Sequence, residues 1–199
     1  MKIIDCIQGS EEWYDAKCGV PTSSNFDKII TTKGEKSKQA EKYMFRLAGE
    51  KITGKHEDTY SNDNMQRGIE MEREAGQLYE IISGKTVTQV GFCLADNGNY
   101  GASPDRLIES DGLLEIKCPL LSTHVSYLIN NKLPYEYFQQ VQGQLFVTGR
   151  DYLDFMSYFP GIKPFIARVT PNKEFQEKLK VELIVFCLLL KDTIKKIGD

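Results

Sequence analysis

"GASPDRLIESDGLLEIKCP", residues 101–119, is the stretch on which the reading of this chain turns. It reads as two short extended segments joined at Ser110-Asp111-Gly112, a tight-turn signal of the Asp-Gly kind. Side chains alternate along a strand, so Leu114, Ile116 and Cys118 make an apolar face while Glu115 and Lys117 stand together on the other. Asp105 lies on the partner segment, behind Ser103-Pro104.

A bare Glu-x-Lys on a strand is usually an exposed ion pair of small worth. The link to Asp105 makes it more than that, because the hairpin sets two carboxylates side by side with an ammonium next to them. Adjacent carboxylates repel unless a cation joins them. Their hard oxygens suit Mg²⁺ or Mn²⁺, which bind through one or two carboxylates plus waters and substrate phosphates. Lys117 then contacts the attacking water or neutralises charge that develops in the transition state. This is the composition that phosphodiester hydrolysis needs.

A second signal lies in the helix expected from near Asp63 to Gly84. At helical spacing Met65, Gly68, Ile69, Glu72, Ala75, Gly76 and Tyr79 share one stripe, with Glu72 its only charge. A lone carboxylate facing the core needs either a metal or a buried Arg or Lys partner. Beside the strand motif, a third metal-side carboxylate is the expected role.

The rest of the chain bounds these readings. Its 199 residues, 41% hydrophobic and 27% charged, suit one soluble globular domain over 1–199. No signal-peptide pattern opens it, and the most apolar run, "LIVFCLLL" at 183–190, is far shorter than the roughly 20 residues a bilayer needs. A cytoplasmic protein is expected. Five scattered cysteines (Cys6, Cys18, Cys93, Cys118, Cys187) have no metal-site spacing and read as free, mostly buried thiols. With only His56 and His124, chemistry must run on carboxylates and lysines. The net charge of −3 is not that of a typical nucleic-acid binder, but Lys33–Lys55 has seven basic and three acidic residues, a local +4. Glu57–Glu80 has seven acidic and two basic residues; each run alone reads as a solvated helix face.

Helices are expected at 10–19, capped by Ser10, at 22–30, 38–53, 63–84, 121–131, 135–147 and 172–197. Extended segments fall at 86–95, 99–109, 113–118, 151–159 and 165–170. Helices bracketing a central mixed β-sheet mean α/β or α+β architecture. Trp13, near the chain start, reads as a core anchor.

Ser103-Pro104-Asp105 followed by Glu115-Ile116-Lys117 resembles the PD-(D/E)xK nuclease core, a restriction-endonuclease-like fold. Three further blocks narrow the likeness. "QGSEEWYDAKCGVPTSS" near the N-terminus, "RGIEMEREA" at 67–75 and "QQVQGQLFVTG" at 139–149 resemble, in family order, the phage lambda-type exonucleases, or YqaJ-like viral recombinases.

That resemblance implies Mg²⁺-dependent 5′-to-3′ digestion of double-stranded DNA from 5′-phosphorylated ends, leaving a 3′ overhang. It implies metal held by Asp105, Glu115 and the Ile116 carbonyl, with Glu72 in support directly or through water. Lys117 would assist the nucleophile, and Gln140 matches the family's active-site glutamine, with Gln144 on the same face as a substitute. For the 5′-phosphate it implies Lys17, Thr22 or Ser24, and Ser103; hydroxyls at 22–24 also read simply as caps. Family members carry arginine where this chain has Lys17, a point charge without the planar fork. A duplex-splitting loop falls near Lys33–Ser37. A homotrimeric ring around DNA and a single-strand annealing protein as partner are also implied. Other readings are a RecB-like or Cas4-like end-processing nuclease, an endonuclease, or an inactive DNA-binding module. The scattered cysteines oppose an iron–sulfur version, and intact Asp105, Glu115 and Lys117 oppose inactivity.

Overall fold

A computed structural model of the chain describes residues 1–56 and 63–198, with side chains described for 1–56 and 71–198. Two sheets organise it. The small one runs β1 (Lys2–Ile4), β3 (Phe92–Leu94), β4 (Gly101–Ala102), all antiparallel. The large one has the order β2 (Val87–Gln89), β5 (Arg106–Ile108), β6 (Gly112–Lys117), β7 (Tyr152–Ser157), β8 (Phe165–Val169). Its neighbours are antiparallel except β6 and β7, which run parallel through the crossover helices α4 (Leu121–Asn130) and α5 (Phe138–Thr148). The remaining helices are α1 (Glu11–Lys17), α2 (Ala40–Thr53), α3 (Asp63–Ser83) and α6 (Lys173–Gly198). The central mixed sheet flanked by helices is the α/β arrangement expected from the sequence.

Parallel pairing explains why β6 and β7 are buried along nearly their whole length, from Gly112 to Ile116 and from Tyr152 to Ser157. Helices cover both faces. On one, Leu114 and Ile116 pack with Ala75 and Tyr79 of α3. On the other, Leu113, Leu153 and Phe155 pack with Val141 and Leu145 of α5. The strand is therefore covered on both faces up to Ile116, and Glu115 is only 1% exposed. A third cluster joins Leu47 and Tyr43 of α2 to Leu179, Leu183 and Phe186 of α6.

Four local readings need correction. The segments expected as single strands at 86–95 and 99–109 each break in two, because the chain passes between the sheets at 90–91 and again at 103–105. The hairpin loop is Glu109-Ser110-Asp111, and it is Glu109 (φ 45°) that takes the left-handed conformation. Gly112 instead begins β6, where an added Cβ would lie 2.3 Å from the Tyr152 ring. The expected helix at 22–30 is a 3₁₀ turn, Ser23–Lys28, whose N-terminal Thr22 makes no side-chain cap. Gly143 lets α5 lie against this turn, since a Cβ there would meet Phe26 at 2.5 Å. Of the five free cysteines only Cys93 and Cys187 are buried. His124 is pinned between Ser157 Oγ (2.8 Å) and the Lys163 carbonyl (3.0 Å).

Candidate active site

The second passage between sheets is Ser103-Pro104-Asp105, so the catalytic acid expected from sequence stands where the chain leaves β4 for β5. Continuing the Arg106–Leu114 pairing by one step sets Asp105 across from Glu115. Asp105 Oδ2 accepts the Ile116 backbone N–H at 2.6 Å. Lys117 Nζ donates to Glu115 Oε1 at 2.5 Å and lies 5.4 Å from the Tyr137 ring centroid. The three groups of the hairpin motif are brought together.

From α5 come two amides instead of one. Gln140 Nε2 donates to Glu115 Oε1 and Gln144 Nε2 to Glu115 Oε2, both at 2.6 Å. Their i, i+4 spacing puts both on one helix face, so each carboxylate oxygen receives its own donor. Gln144 is wholly buried, and its Oε1 has no hydrogen-bond partner. Replacing Gln144 by leucine leaves Glu115 Oε2 without that donor. The expected loss is about 10–100-fold in the rate of DNA hydrolysis, as for other groups that orient a ligand, with roughly 1–3 kcal/mol of stability. Initial rates and a denaturant titration check both; an unchanged rate contradicts the role of the clamp.

Glu72 has the arginine partner that the sequence left open beside a metal. It is not a lone carboxylate against the core: it is 31% exposed and takes the Arg106 guanidinium at 2.7 Å. The same Arg106 nitrogen donates to the Asp105 carbonyl at 2.7 Å, tying α3 to the acid-bearing strand. Of the expected α3 stripe, Met65, Gly68 and Ile69 lie outside the residues whose side chains are described.

Electrostatically the site is short of positive charge, with Asp105, Glu115 and Glu72 against Lys117 and Arg106. Burial, then the charges of Glu115 and Glu72, push the Asp105 carboxyl well above the usual range, against the opposing pull of Lys117 and the Ile116 N–H. Lys117 moves above its ordinary value: burial disfavours its charge, but Glu115 and Asp105 outweigh it. Among the described residues no three His, Cys, Asp or Glu side chains already converge as a metal cluster. The donor set nonetheless fits a hard divalent cation, since Asp105 and Glu115 face each other with one excess negative charge nearby.

The residues expected at the 5′-phosphate fall in two groups. Trp13 Nε1 donates to Ser103 Oγ at 3.0 Å, and Lys17 Nζ lies 3.2 Å from the Trp13 ring centroid. Thr22 bridges to Gly101, and its hydroxyl and that of Ser24 lie 3.1 Å apart. Trp13 is thus no core anchor: it is half-buried, and α1 has no buried residue.

Sequence reasoning missed Gln8 and Arg106. Gln8 Nε2 donates to the carbonyls of Val90 (2.8 Å) and Pro104 (2.9 Å), the two points where the chain changes sheets. Only its place in the block opening "QGSEEW" hinted at this; nothing in the local pattern around Arg106 did.

The fold and the placing of this hairpin agree with the PD-(D/E)xK nuclease core that the sequence resembles. The chain belongs to the YqaJ-like viral recombinase family, whose domain model matches residues 12–151. The crystal structure of an alkaline exonuclease, LHK-Exo from Laribacter hongkongensis, superposes with a TM-score of 0.86 at 33% identity, over 94% of this chain and 96% of that one. LHK-Exo in complex with dAMP matches equally well. A phage-related exonuclease from Haemophilus somnus 129PT shares the fold at a TM-score of 0.69 and 15% identity, over 89% of this chain and 96% of its own. A search of curated protein sequences gave no match.

Proposed function

We propose that this protein is a Mg²⁺-dependent 5′-to-3′ exonuclease that digests double-stranded DNA from 5′-phosphorylated ends. It releases mononucleotides and leaves 3′ single-stranded overhangs for recombination by strand annealing. The observation that carries the reading is the facing pair Asp105 and Glu115 with Lys117 beside them on one hairpin. Asp105, Glu115 and the Ile116 carbonyl would hold the metal, with Glu72 in support. When bound, Mg²⁺ (or Mn²⁺) supplies Lewis-acid polarisation of the scissile phosphate.

The chain's own residues do the rest. Glu115 and Asp105 hold the Lys117 amine above its ordinary value, which suits a donor to the negative charge that develops in the transition state. Gln140 and Gln144 fix both Glu115 oxygens, and the Ile116 N–H fixes Asp105.

Lys17 and Ser103, with Thr22 and Ser24, would take the terminal phosphate. Ser103 precedes Asp105 by two residues, which sets the end-binding group beside the hydrolytic pair and suits release of mononucleotides. The dAMP complex of the 33%-identical LHK-Exo supports a site of this kind.

Burial pushes the Lys17 amine down to about 8; Glu50 opposes the shift and Arg46 adds to it. The charged form is lost as pH rises through that value, so the preference for 5′-phosphate over 5′-hydroxyl ends should fall in alkaline solution. Digestion of duplexes with either end, across pH, tests this. Lys17→Ala should lack the preference at every pH, and Lys17→Arg should hold it at high pH, because arginine stays charged. A wild-type preference that is strong and constant above pH of about 8 contradicts the assignment.

A homotrimeric ring and an annealing-protein partner complete the reading. On α6, Val181, Ile184, Val185, Leu188 and Leu189 are exposed at helical spacing, an apolar stripe of the sort assembly covers. Work in a bacterial host's cytoplasm belongs to the same reading; among the described residues no helix is long and apolar enough to cross a membrane.

A further inference from the structure

We propose that Trp13 is the positioning residue of the 5′-end site: its indole edge fixes the Ser103 hydroxyl and its face seats the Lys17 ammonium, so both meet one phosphate. The inference rests on the reading of Lys17 and Ser103 as the end-binding pair.

Two independent contacts carry it. Trp13 Nε1–H donates to Ser103 Oγ at 3.0 Å. An indole nitrogen can only donate, so Ser103 accepts there and its own hydroxyl proton is left to point elsewhere. Lys17, four residues on along α1, lies with Nζ 3.2 Å from the centre of the same ring. The ring's negative face holds the ammonium over the indole. One side chain thus sets the direction of a hydroxyl donor and the place of a cation, in a partly buried recess two residues from Asp105.

Ordinary packing does not account for Trp13. It belongs to none of the core clusters, and no other α1 side chain is buried beside it. A phenylalanine or leucine would fill the same space, but neither has the edge donor. The chemistry recognised is a phosphomonoester at a DNA strand terminus, which offers several acceptor oxygens to a hydroxyl and an ammonium together.

Trp13 is the chain's single tryptophan, so its emission reports on this recess alone. In EDTA, where no cleavage occurs, a 5′-phosphorylated duplex should change that emission more than its 5′-hydroxyl twin, and Lys17→Ala should erase the difference. With Mg²⁺, Trp13→Phe should raise KM for phosphorylated ends and cut the phosphate-to-hydroxyl preference about tenfold, the loss of one well-placed donor. Trp13→Leu, which also removes the aromatic face, should cut it further. A thermal midpoint near wild type establishes that each variant folds; if one does not, the wild-type emission comparison decides alone.

A preference retained in folded Trp13→Phe, or identical emission changes with both ends, overturns the role of Trp13. A wild type with no end preference overturns the end-site reading and this proposal with it.

Discussion

Replacing Asp105 by asparagine is expected to abolish DNA hydrolysis and, in the absence of divalent metal, to make the protein more stable. Its carboxyl faces Glu115, has Glu72 nearby, and is pushed well above the usual range by burial and those charges. The folded state therefore holds the Asp105 proton more tightly than the unfolded state does. This contribution favours folding at low pH and is lost as pH rises toward and through the raised folded value, so above the ordinary carboxylate range the buried acid opposes folding. Asparagine removes the charge while its Oδ1 can still accept the Ile116 N–H. A gain of about 1 kcal/mol would raise Tm by roughly 2–4 °C for a chain of this length. Losing a metal-side carboxylate should lower the hydrolysis rate by about 10³-fold or more. Calorimetry in EDTA and release of acid-soluble nucleotide in Mg²⁺ measure the two halves. A variant that is active, or less stable, would show that Asp105 is an ordinary structural acid.

The second large effect concerns the scaffold. Phe155 is fully buried on β7, paired in register with Glu115 on the same sheet face. Its ring lies 5.0 Å from Tyr137 and 6.4 Å from both Tyr127 and Phe165. Phe155→Ala should cost about 3–5 kcal/mol, because the surrounding rings cannot all collapse into the space. Against a typical total of about 5–15 kcal/mol this is a large fraction, and the Tm should drop on the order of 10 °C. Tyr137 also carries the Lys117 ammonium above its ring, so activity should weaken well below the melting transition. Phe155→Leu, closer in volume, should retain most of both. Urea unfolding decides; a cost under about 1 kcal/mol would mean this face is not packed as described.

What could be read from sequence was what local rules govern. The period-2 alternation in "GLLEIKC" and the acidic residue ahead of the turn located Asp105, Glu115 and Lys117. The helical spacing of Gln140 and Gln144 put both on one face. The helices other than 22–30, the main strands and the mixed sheet followed from period and turn signals, with ends shifted by up to three residues.

What escaped depends on pairing between distant segments. The split of 86–95 and 99–109 between two sheets arises because Lys2–Ile4 supplies β1 for the small one, and three residues carry too little periodicity to announce a strand. Gln8 satisfies carbonyls 82 and 96 residues away, and Arg106 meets Glu72 across 34. No short-range pattern encodes such contacts. For Glu72 the spacing left open a metal or a buried Arg or Lys partner, and the partner, Arg106, came from another element.

The central claim is that the Asp105–Glu115–Lys117 hairpin hydrolyses DNA with the help of a divalent metal. The most direct test follows linear duplex DNA labelled at its 5′ termini, with Mg²⁺ or EDTA, for wild type and Lys117→Ala. The account predicts Mg²⁺-dependent loss of 5′-terminal nucleotides by wild type, none in EDTA, and none by Lys117→Ala that still binds DNA. DNA bound but left uncut by wild type in both Mg²⁺ and Mn²⁺ would contradict it and leave the hairpin as a structural ion-pair cluster.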